Sequence, residues 1–303
     1  MTSPGAMDEF ALLPENVADA GLDMPVLPAV RRVSADIGGG QRVSALRWGE
    51  GRPQVVFLHG GGQNAHTWDT VVLALGLPAL AVDLPGHGHS DWRADHDYGP
   101  RANAEAVAPL VRAWAPDAAA VVGMSLGGLT TIRLTATAPD LVRRAVVVDV
   151  TPSSRLRTTS MTRAERGTTA LLGGPRTFAT LDEMIEVTAA AAPRRPRSSI
   201  RRGVVHNTRQ RPDGRWEWRY DAVRAFGDFT PLWDHVSTAR MPLTLVRGGA
   251  SAFVHDDDAE EFRRRNPATR MHIVPGAGHA VQSDAPLELT RIIESALGEG
   301  RRS

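Results

Sequence analysis

The sequence predicts an α/β protein: a mostly parallel, doubly wound sheet covered by helices on both faces, with a second unit inserted into the chain. Three observations predict it. Short apolar, β-branched runs alternate with stretches of helical spacing, and each run ends at glycine or a polar residue. The alternation stops after Pro152 and resumes with PLTLVRGG, residues 242–249. Strands buried on both faces form apolar runs of this kind, and their alternation with helices is typical of a parallel sheet.

The first elements precede this repeated unit. Residues 1–30 contain several prolines and show only weak periodicity, which predicts an arm that packs against the body of the protein or against a second subunit. A homodimer is therefore one expectation. Residues 31–50 contain two short strand-like runs around Gly38, Gly39 and Gly40, and they predict a β-hairpin.

The core of the fold is expected in residues 31–152 and 236–303. The first part holds four strand-like runs, QVVFLHG, PALAVDLPG, AAAVVGMS and RAVVVDVTP. Between them, NAEAVAPLVRAWA and GGLTTIRLTATAP have helical spacing. The second part continues with the strand PLTLVRGG, a helix through DDAEEFRRR, the strand MHIVPGAGH and a last helix from Pro286.

Residues 153–235 interrupt the repeat and predict a lid over the carboxyl edge of the sheet, where such folds bind ligands. Their arginine-rich patches are typical of solvated helix faces rather than of a phosphate site. The stretch RWEWRY supplies Trp216, Trp218 and Tyr220, which together with Trp233 are candidates for the wall of an apolar substrate pocket. The alternative, that these aromatic side chains form the core of the lid, is equally open.

Composition excludes several function classes. The 303 residues carry a formal net charge of +1, every strong base is arginine, and this balance gives no reason to expect nucleic acid or an anionic membrane as a partner. The absence of cysteine excludes disulfides, thiolate metal ligands and a cysteine nucleophile. The N-terminus lacks the pattern of a signal peptide, and no apolar window is long enough to span a bilayer. We therefore expect a cytoplasmic protein.

A candidate nucleophile lies in VVGMSLGG, residues 121–128. Ser125 stands between Gly123 and Gly127, after an apolar strand and before a helix, which is the G-x-S-x-G pattern of a nucleophile elbow. The small neighbours let the strand and the helix approach closely, and the strained turn projects the hydroxyl beyond the sheet edge, beside the positive end of the helix. The sequence therefore predicts Ser125 as a nucleophile.

The stretch HGGGQNAHTW follows the strand QVVFL and supplies a candidate oxyanion site. A tetrahedral intermediate needs backbone N–H donors aimed at its oxyanion. Leu126, the residue after the nucleophile, and Gly61, in the earlier turn, are the expected donors. The rival interpretation is a phosphate-binding loop, but the stretch has no G-x-G-x-x-G pattern, and a P-loop requires a lysine that the chain lacks.

The candidate general base is His279, in the glycine-rich loop VPGAGHAVQSD after the last strand. A serine hydroxyl needs an adjacent base, most often histidine, and His279 alone among ten histidines follows a strand late in the chain. His87, His89, Asp91 and His96 could also indicate a metal site. These residues lie in a Gly-Pro turn and lack a convincing third ligand, so a structural turn is favoured there and no metal site is expected.

Together the motifs HGGG, DLPGHGHS, GMSLGG and PGAGH, in this order, resemble the α/β-hydrolase superfamily from about residue 40 to residue 297. The resemblance implies an α/β-hydrolase fold with Ser125 as nucleophile, His279 as base, Gly61 and Leu126 as oxyanion donors, and no cofactor. It says little about the substrate.

The acid that orients the histidine is less obvious. Many members of the superfamily carry it as G-x-x-D in the loop after the strand that corresponds to LTLVRGG, but here that position is Ser251. Asp256, further along, fits the start of a helix. Asp149 ends the apolar strand RAVVVDV, where a charge is costly unless something pairs with it. We therefore predict Asp149 as the acid, with Asp256 as the alternative.

These assignments predict a hydrolase of a largely apolar small-molecule ester or lactone that reacts through an acyl-enzyme. The acid position, 24 residues after the serine, is similar to that of the fungal zearalenone lactone hydrolases, although those enzymes use Glu there, so a zearalenone-type macrolactone is one hypothesis. Ser125 argues against haloalkane dehalogenases and epoxide hydrolases, which use Asp as nucleophile. Carbon–carbon bond hydrolases and cofactor-free haloperoxidases remain alternatives, as does a ligand receptor that turns over slowly.

Overall fold

The computed structural model describes residues 8–222 and 227–298. Its main sheet has eight strands in the order β1-β2-β4-β3-β5-β6-β10-β11. All neighbours pair in parallel except β1 with β2 and β2 with β4, which confirms the predicted mostly parallel sheet and the hairpin at its start. The strands are β1 (Val30–Asp36), β2 (Arg42–Trp48), β3 (Val55–Leu58), β4 (Ala79–Asp83), β5 (Ala120–Met124), β6 (Ala145–Val148), β10 (Leu243–Gly248) and β11 (Arg270–Val274).

Some of the helices cover both faces of this sheet, and others lie in the chain between β6 and β10. The helices are α1 (Leu13–Asp19), α2 (Asp69–Leu75), α3 (Pro100–Trp114), α4 (Leu126–Thr137), α5 (Ser154–Ser160), α6 (Arg163–Arg166), α7 (Leu181–Ala191), α8 (Arg197–His206), α9 (Leu232–Thr238), α10 (Asp256–Arg265), α11 (Val281–Asp284) and α12 (Pro286–Gly298). In the part of the chain that the structure describes, no helix combines the length and the apolar character needed to cross a membrane.

Two hydrophobic cores lie on opposite faces of the sheet, because successive side chains of a strand point in opposite directions. In β3, Val56 and Leu58 join the core under α3, α4, α9 and α10, whereas Val55 and Phe57 join the core under α2 and α12. The central strands are buried along their whole length, which explains why they appear in the sequence as continuous apolar runs.

Some of the residues between β6 and β10 form a separate small core. Three short strands, β7 (Thr177–Phe178), β8 (Thr208–Gln210) and β9 (Trp216–Trp218), make a second sheet in the order β7-β9-β8. This sheet packs on α7 and α8 through buried apolar residues: Phe178, Met184, Ile185, Ile200, Val204, Trp218 and Tyr220. The predicted bounds of the lid, 153–235, stay a prediction. At the end of this range, α9 packs into the main core and not into the small core.

The described part of the N-terminal arm, residues 8–30, lies against the body of the protein. Its helix α1 contacts α2 and α8. Asp19 accepts hydrogen bonds from Arg202 at 2.7 Å and from Ser198 at 2.6 Å, both on α8. The arm therefore links the insertion to the core, while its first seven residues lie outside the described part and the predicted homodimer stays a prediction.

Candidate active site

Ser125 occupies the turn between β5 and α4 in a left-handed backbone conformation, with φ of +51°. Two glycines make the turn possible. A Cβ added at Gly127 would lie 2.2 Å from the carbonyl oxygen of Leu58, and one added at Gly123 would lie 2.2 Å from the carbonyl oxygen of Gly127. Because neither contact leaves room for a side chain, strand and helix can meet this closely only with glycine at both positions.

His279 lies in the loop between β11 and α11, beside Ser125. Its Nε2 is 3.0 Å from Ser125 Oγ, and its Nδ1 is 2.8 Å from Asp149 Oδ2. An ionised carboxylate only accepts, so Nδ1 carries the proton and Nε2 is left to accept the serine proton. The ring also stacks on Phe253, with 3.5 Å between ring centroids. The imidazole is thus held from its edge and from one face.

Asp149 follows β6 directly and is completely buried. Its Oδ1 accepts the backbone N–H of Gly248 at 2.8 Å, and its Oδ2 accepts the hydroxyl of Ser251 as well as Nδ1–H of His279. Three donors therefore compensate the burial of this carboxylate. The structure brings Asp149 to the histidine, as predicted from the cost of leaving a charge unpaired at the end of an apolar strand.

The alternative acid, Asp256, lies elsewhere. It begins α10, its side chain is 88% exposed, and it pairs with Arg247. Acidic side chains are favourable in the first turn of a helix, so this position has a structural explanation of its own. The structure does not bring Asp256 to His279.

Gly61 and Leu126 border the same cavity as Ser125. Leu126 is the first residue of α4, where backbone N–H groups have no partner within the helix. Gly61 lies in a turn that is fixed on both sides: the N–H of Gly60 donates to Gln63 Oε1 at 3.0 Å, and the N–H of Gly62 donates to His87 Nε2 at 3.0 Å. Both predicted oxyanion donors therefore line the same cavity as the candidate nucleophile.

His87 is a residue whose place in the site the sequence did not suggest. Its Nδ1–H donates to the Pro85 carbonyl at 2.9 Å, which leaves Nε2 to accept from Gly62. Burial lowers its pKa and keeps the ring neutral, as this pair of hydrogen bonds requires. His96, another member of the predicted metal cluster, has different surroundings, because it pairs with Asp221 at 2.6 Å.

Among the described residues, one group brings metal-ligating atoms within 4.8 Å of one another: His66, Asp69 and His206. Burial alone lowers the pKa of His66, but Asp69 at 2.8 Å and Glu9 at 3.1 Å outweigh it and raise that pKa to about 9. The protonated His66 ring stacks on His206, with centroids 3.7 Å apart and planes 9° from parallel. Parallel stacked rings cannot both direct a lone pair at one ion, so we interpret the group as an ion-paired network.

A cavity of about 600 Å³ opens over Ser125. This volume lies within the range of small-molecule sites, roughly 300–1,000 Å³. Its apolar lining residues are Leu126, Leu129, Val150, Ala170, Leu172, Phe229 and Phe253. Two arginines, Arg155 and Arg166, also border it, and no carboxylate is found among the described residues around it.

The aromatic residues predicted as a substrate wall lie outside this cavity. Trp218 and Tyr220 are 3% exposed and stack on each other in the core of the insertion, and Trp216 packs against that core. Trp218 and Tyr220 also line a neighbouring cavity, which touches the first one at Gly61. Trp233, on α9, is buried against Phe262 in the main core. The alternative interpretation, in which these side chains form cores, describes their packing.

Comparisons with known proteins agree with this fold. A model of the alpha/beta hydrolase family matches residues 55–292. Esterase Rv0045c of Mycobacterium tuberculosis is 56% identical over 292 residues, which is 96% of each chain. A solved structure of that esterase superposes with a TM-score of 0.87 over 97% of this chain and 99% of that one. The 2-(acetamidomethylene)succinate hydrolase of Mesorhizobium japonicum is 28% identical over 77% of this chain and 84% of its own. The protein with these motifs and this fold belongs to the alpha/beta hydrolase family.

Proposed function

We propose that this protein is a serine hydrolase that cleaves carboxylic esters of small molecules, with Ser125 as nucleophile, His279 as general base and Asp149 as the acid of a catalytic triad. The observation that carries the proposal is the chain of hydrogen bonds from Ser125 through His279 to Asp149, at 3.0 and 2.8 Å. The relative with 56% identity is named an esterase, which supports an ester as the substrate.

In the proposed reaction, His279 Nε2 accepts the proton of Ser125 while Oγ attacks the carbonyl carbon of the ester. The C–O bond to the alcohol then breaks, and the alkoxide leaves with the proton from His279. Water attacks the resulting acyl-enzyme as His279 removes its proton, and that proton returns to Ser125 Oγ when the carboxylic acid departs. Asp149 stays ionised throughout and stabilises the imidazolium.

The oxyanion of each tetrahedral intermediate is proposed to bind the N–H groups of Gly61 and Leu126. Their place beside Ser125 supports this assignment, and so does the start of α4, where the helix dipole favours negative charge. The hydrogen bonds on either side of Gly61 hold its amide in place before the reaction begins. Donors that are already oriented do not have to reorganise as charge develops.

We further propose that residues 153–235 act as a lid. Arg155 and Thr158 of α5, Arg166 of α6 and Leu172 of the following 3₁₀ turn all line the cavity over Ser125. A substrate that reaches Ser125 therefore contacts the insertion as well as the core, so the insertion can select substrates without altering the catalytic residues.

The proposed substrate is a largely apolar ester or lactone, with a zearalenone-type macrolactone as one specific candidate. The apolar lining of the cavity supports this class. Arg155 and Arg166 border the cavity, and its described lining contains no carboxylate. We therefore extend the proposed substrate class to apolar esters that carry one anionic group.

The test is hydrolysis of p-nitrophenyl esters of increasing acyl length, together with zearalenone, by the wild type, Ser125→Ala and the control Ser237→Ala. Ser237 lies on α9, where its hydroxyl bonds the Trp233 carbonyl. We expect turnover by the wild type and the control, and none above background by Ser125→Ala with an unchanged circular dichroism spectrum. Absence of both burst and turnover on every ester would refute the proposal and favour a slow receptor.

The proposed anionic group of the substrate is tested by comparing the hydrolysis of two esters. Mono-p-nitrophenyl glutarate and p-nitrophenyl butyrate differ mainly in one carboxylate. Arg155→Gln should lower kcat/KM for the glutarate about tenfold, the effect of losing one charge-assisted hydrogen bond, and leave the butyrate unchanged. Equal effects on both esters would remove the anionic group from the proposed substrate class.

A further inference from the structure

We propose that Ser251 is a positioning residue for the Asp149–His279 pair, an inference that rests on the proposed function of that pair. The hydroxyl of Ser251 donates to Asp149 Oδ2. The same oxygen accepts Nδ1–H of His279 at 2.8 Å. Ser251 therefore bonds the one atom through which the acid acts on the base.

The hydroxyl of Ser251 is itself oriented by its neighbours. The backbone N–H of Phe253 donates to Ser251 Oγ at 3.2 Å, which occupies a lone pair and leaves the single hydroxyl proton for Asp149. The N–H of Ser251 donates to the carbonyl of Gly248 at 3.1 Å, and the N–H of Gly248 donates to Asp149 Oδ1 at 2.8 Å. The turn after β10 thus holds both oxygens of the carboxylate.

The same turn also contacts the base. Phe253, whose amide orients Ser251, stacks its ring on the imidazole of His279 at 3.5 Å. Ser251 and Phe253 together therefore fix the position of the acid relative to the base. A residue that only closed the turn would not need a hydroxyl directed at the buried carboxylate.

Removal of this hydroxyl has two expected effects. The Asp149 carboxylate loses one of three donors, so it has more freedom to rotate away from His279, and catalysis slows. The negative charge of Oδ2 is also less compensated, so it stabilises protonated His279 more strongly. The acidic limb of the kcat/KM profile should therefore move to higher pH.

The experiment compares wild type, Ser251→Ala, Ser251→Thr and the control Ser237→Ala on p-nitrophenyl butyrate over a range of pH. For Ser251→Ala we expect kcat to fall about tenfold, the effect of one lost hydrogen bond to a charged group, while KM stays within about twofold. The acidic limb should move up by roughly half a pH unit. Ser251→Thr should restore both properties, and Ser237→Ala should change neither.

The other charged residues around the cavity beside His279 are the same in every variant, so they do not contribute to a shift of the limb: Glu165, Arg166, Arg194, Arg195 and Asp284. If Ser251→Ala fails to fold by circular dichroism, Ser251→Cys replaces it, because a thiol keeps the shape but is a weak donor. Wild-type kcat together with an unmoved acidic limb in the folded variant would overturn the proposal.

Failure of the proposed function gives a different result. A wild type that hydrolyses no ester would refute the proposed function, whereas the contact itself can still be measured by proton NMR. The Nδ1–H resonance of His279, assigned by its loss in His279→Ala, should shift in Ser251→Ala and not in Ser237→Ala. An unchanged resonance would show that Ser251 does not act on the pair.

Discussion

Replacement of Asp149 by asparagine removes the charge of the buried carboxylate and keeps its shape. The N–H of Gly248 donates to Oδ1, so the amide oxygen of asparagine is expected at that position, where it can accept. The amide NH₂ then faces His279 Nδ1 and donates to it. This reversal places the ring proton on Nε2, which can no longer accept the proton of Ser125.

The magnitude follows from the two interactions lost. Each hydrogen bond to a charged group is worth about 1.5–3 kcal/mol. The variant loses the bond that stabilises the imidazolium, and it must break a hydrogen bond between two neutral groups, worth about 0.5–1.5 kcal/mol, to recover the productive tautomer. The combined loss, about 2–4.5 kcal/mol, corresponds to a fall in kcat of roughly 30- to 2,000-fold.

Asp256→Asn is the matched control. Asp256 is 88% exposed, pairs with Arg247 and begins α10, so asparagine should leave kcat within about twofold of the wild type and lower stability by less than about 1 kcal/mol. The assay is kcat and KM on p-nitrophenyl butyrate, with circular dichroism and thermal melting of each variant. A folded Asp149→Asn that keeps more than a tenth of wild-type kcat would refute the assignment of the acid.

Three further predictions concern stability. Gly127→Ala should fail to give a cooperative melting transition, because its Cβ would lie 2.2 Å from a backbone oxygen of β3. The control Gly203→Ala adds a Cβ in open space on α8 and should raise the free energy of unfolding by about 0.5–1 kcal/mol. A soluble, active Gly127→Ala variant would contradict the first expectation. The raised pKa of His66 stabilises the fold fully below about pH 6.5, and this contribution should be lost as pH rises through about 9. The free energy of unfolding in urea should therefore fall with pH across that range, and His66→Gln should remove this pH dependence. Trp233→Ala should lower the free energy of unfolding by about 3–5 kcal/mol in the same assay and leave KM for esters unchanged. A rise in KM at wild-type stability would instead support Trp233 as part of the substrate wall.

The sequence was sufficient for the parts of the site that depend on local chemistry. Ser125 was predictable because a strained turn between strand and helix requires small residues on both sides. His279 was predictable from its loop after the last strand, and Asp149 from the cost of a charge at the end of an apolar strand. In each case the residues that restrict the choice are near neighbours in the chain.

The contacts made by His87 and Ser251 were not predictable in the same way. His87 bonds the turn at Gly62, and Ser251 bonds Asp149, which is 102 positions away in the chain. The sequence showed only that Ser251 lacks the charge expected of a triad acid, and not that its hydroxyl bonds the carboxylate of Asp149. Such pairings depend on which strands become neighbours, and one sequence does not contain that information.

The aromatic residues of the insertion show a second limit. Trp216 and Trp218 alternate along a short strand, which indicates that one side of the strand is buried without showing whether a substrate or the protein covers it. The structure places Trp218 against Phe178 in the core of the insertion, which is the alternative that the sequence left equally open.

Ser125 and Asp149 share a backbone feature with a consequence for protein engineering. Within the described residues, only His96, Ser125 and Asp149 have positive φ without being glycine, and two of these three are members of the proposed triad. Such a conformation costs about 1–3 kcal/mol at each position. At Asp149, glycine would leave three buried donors without their acceptor, which offsets the strain relieved. Directed evolution that selects for heat resistance alone would therefore favour glycine at Ser125, and would enrich robust, inert variants unless turnover is selected in every round.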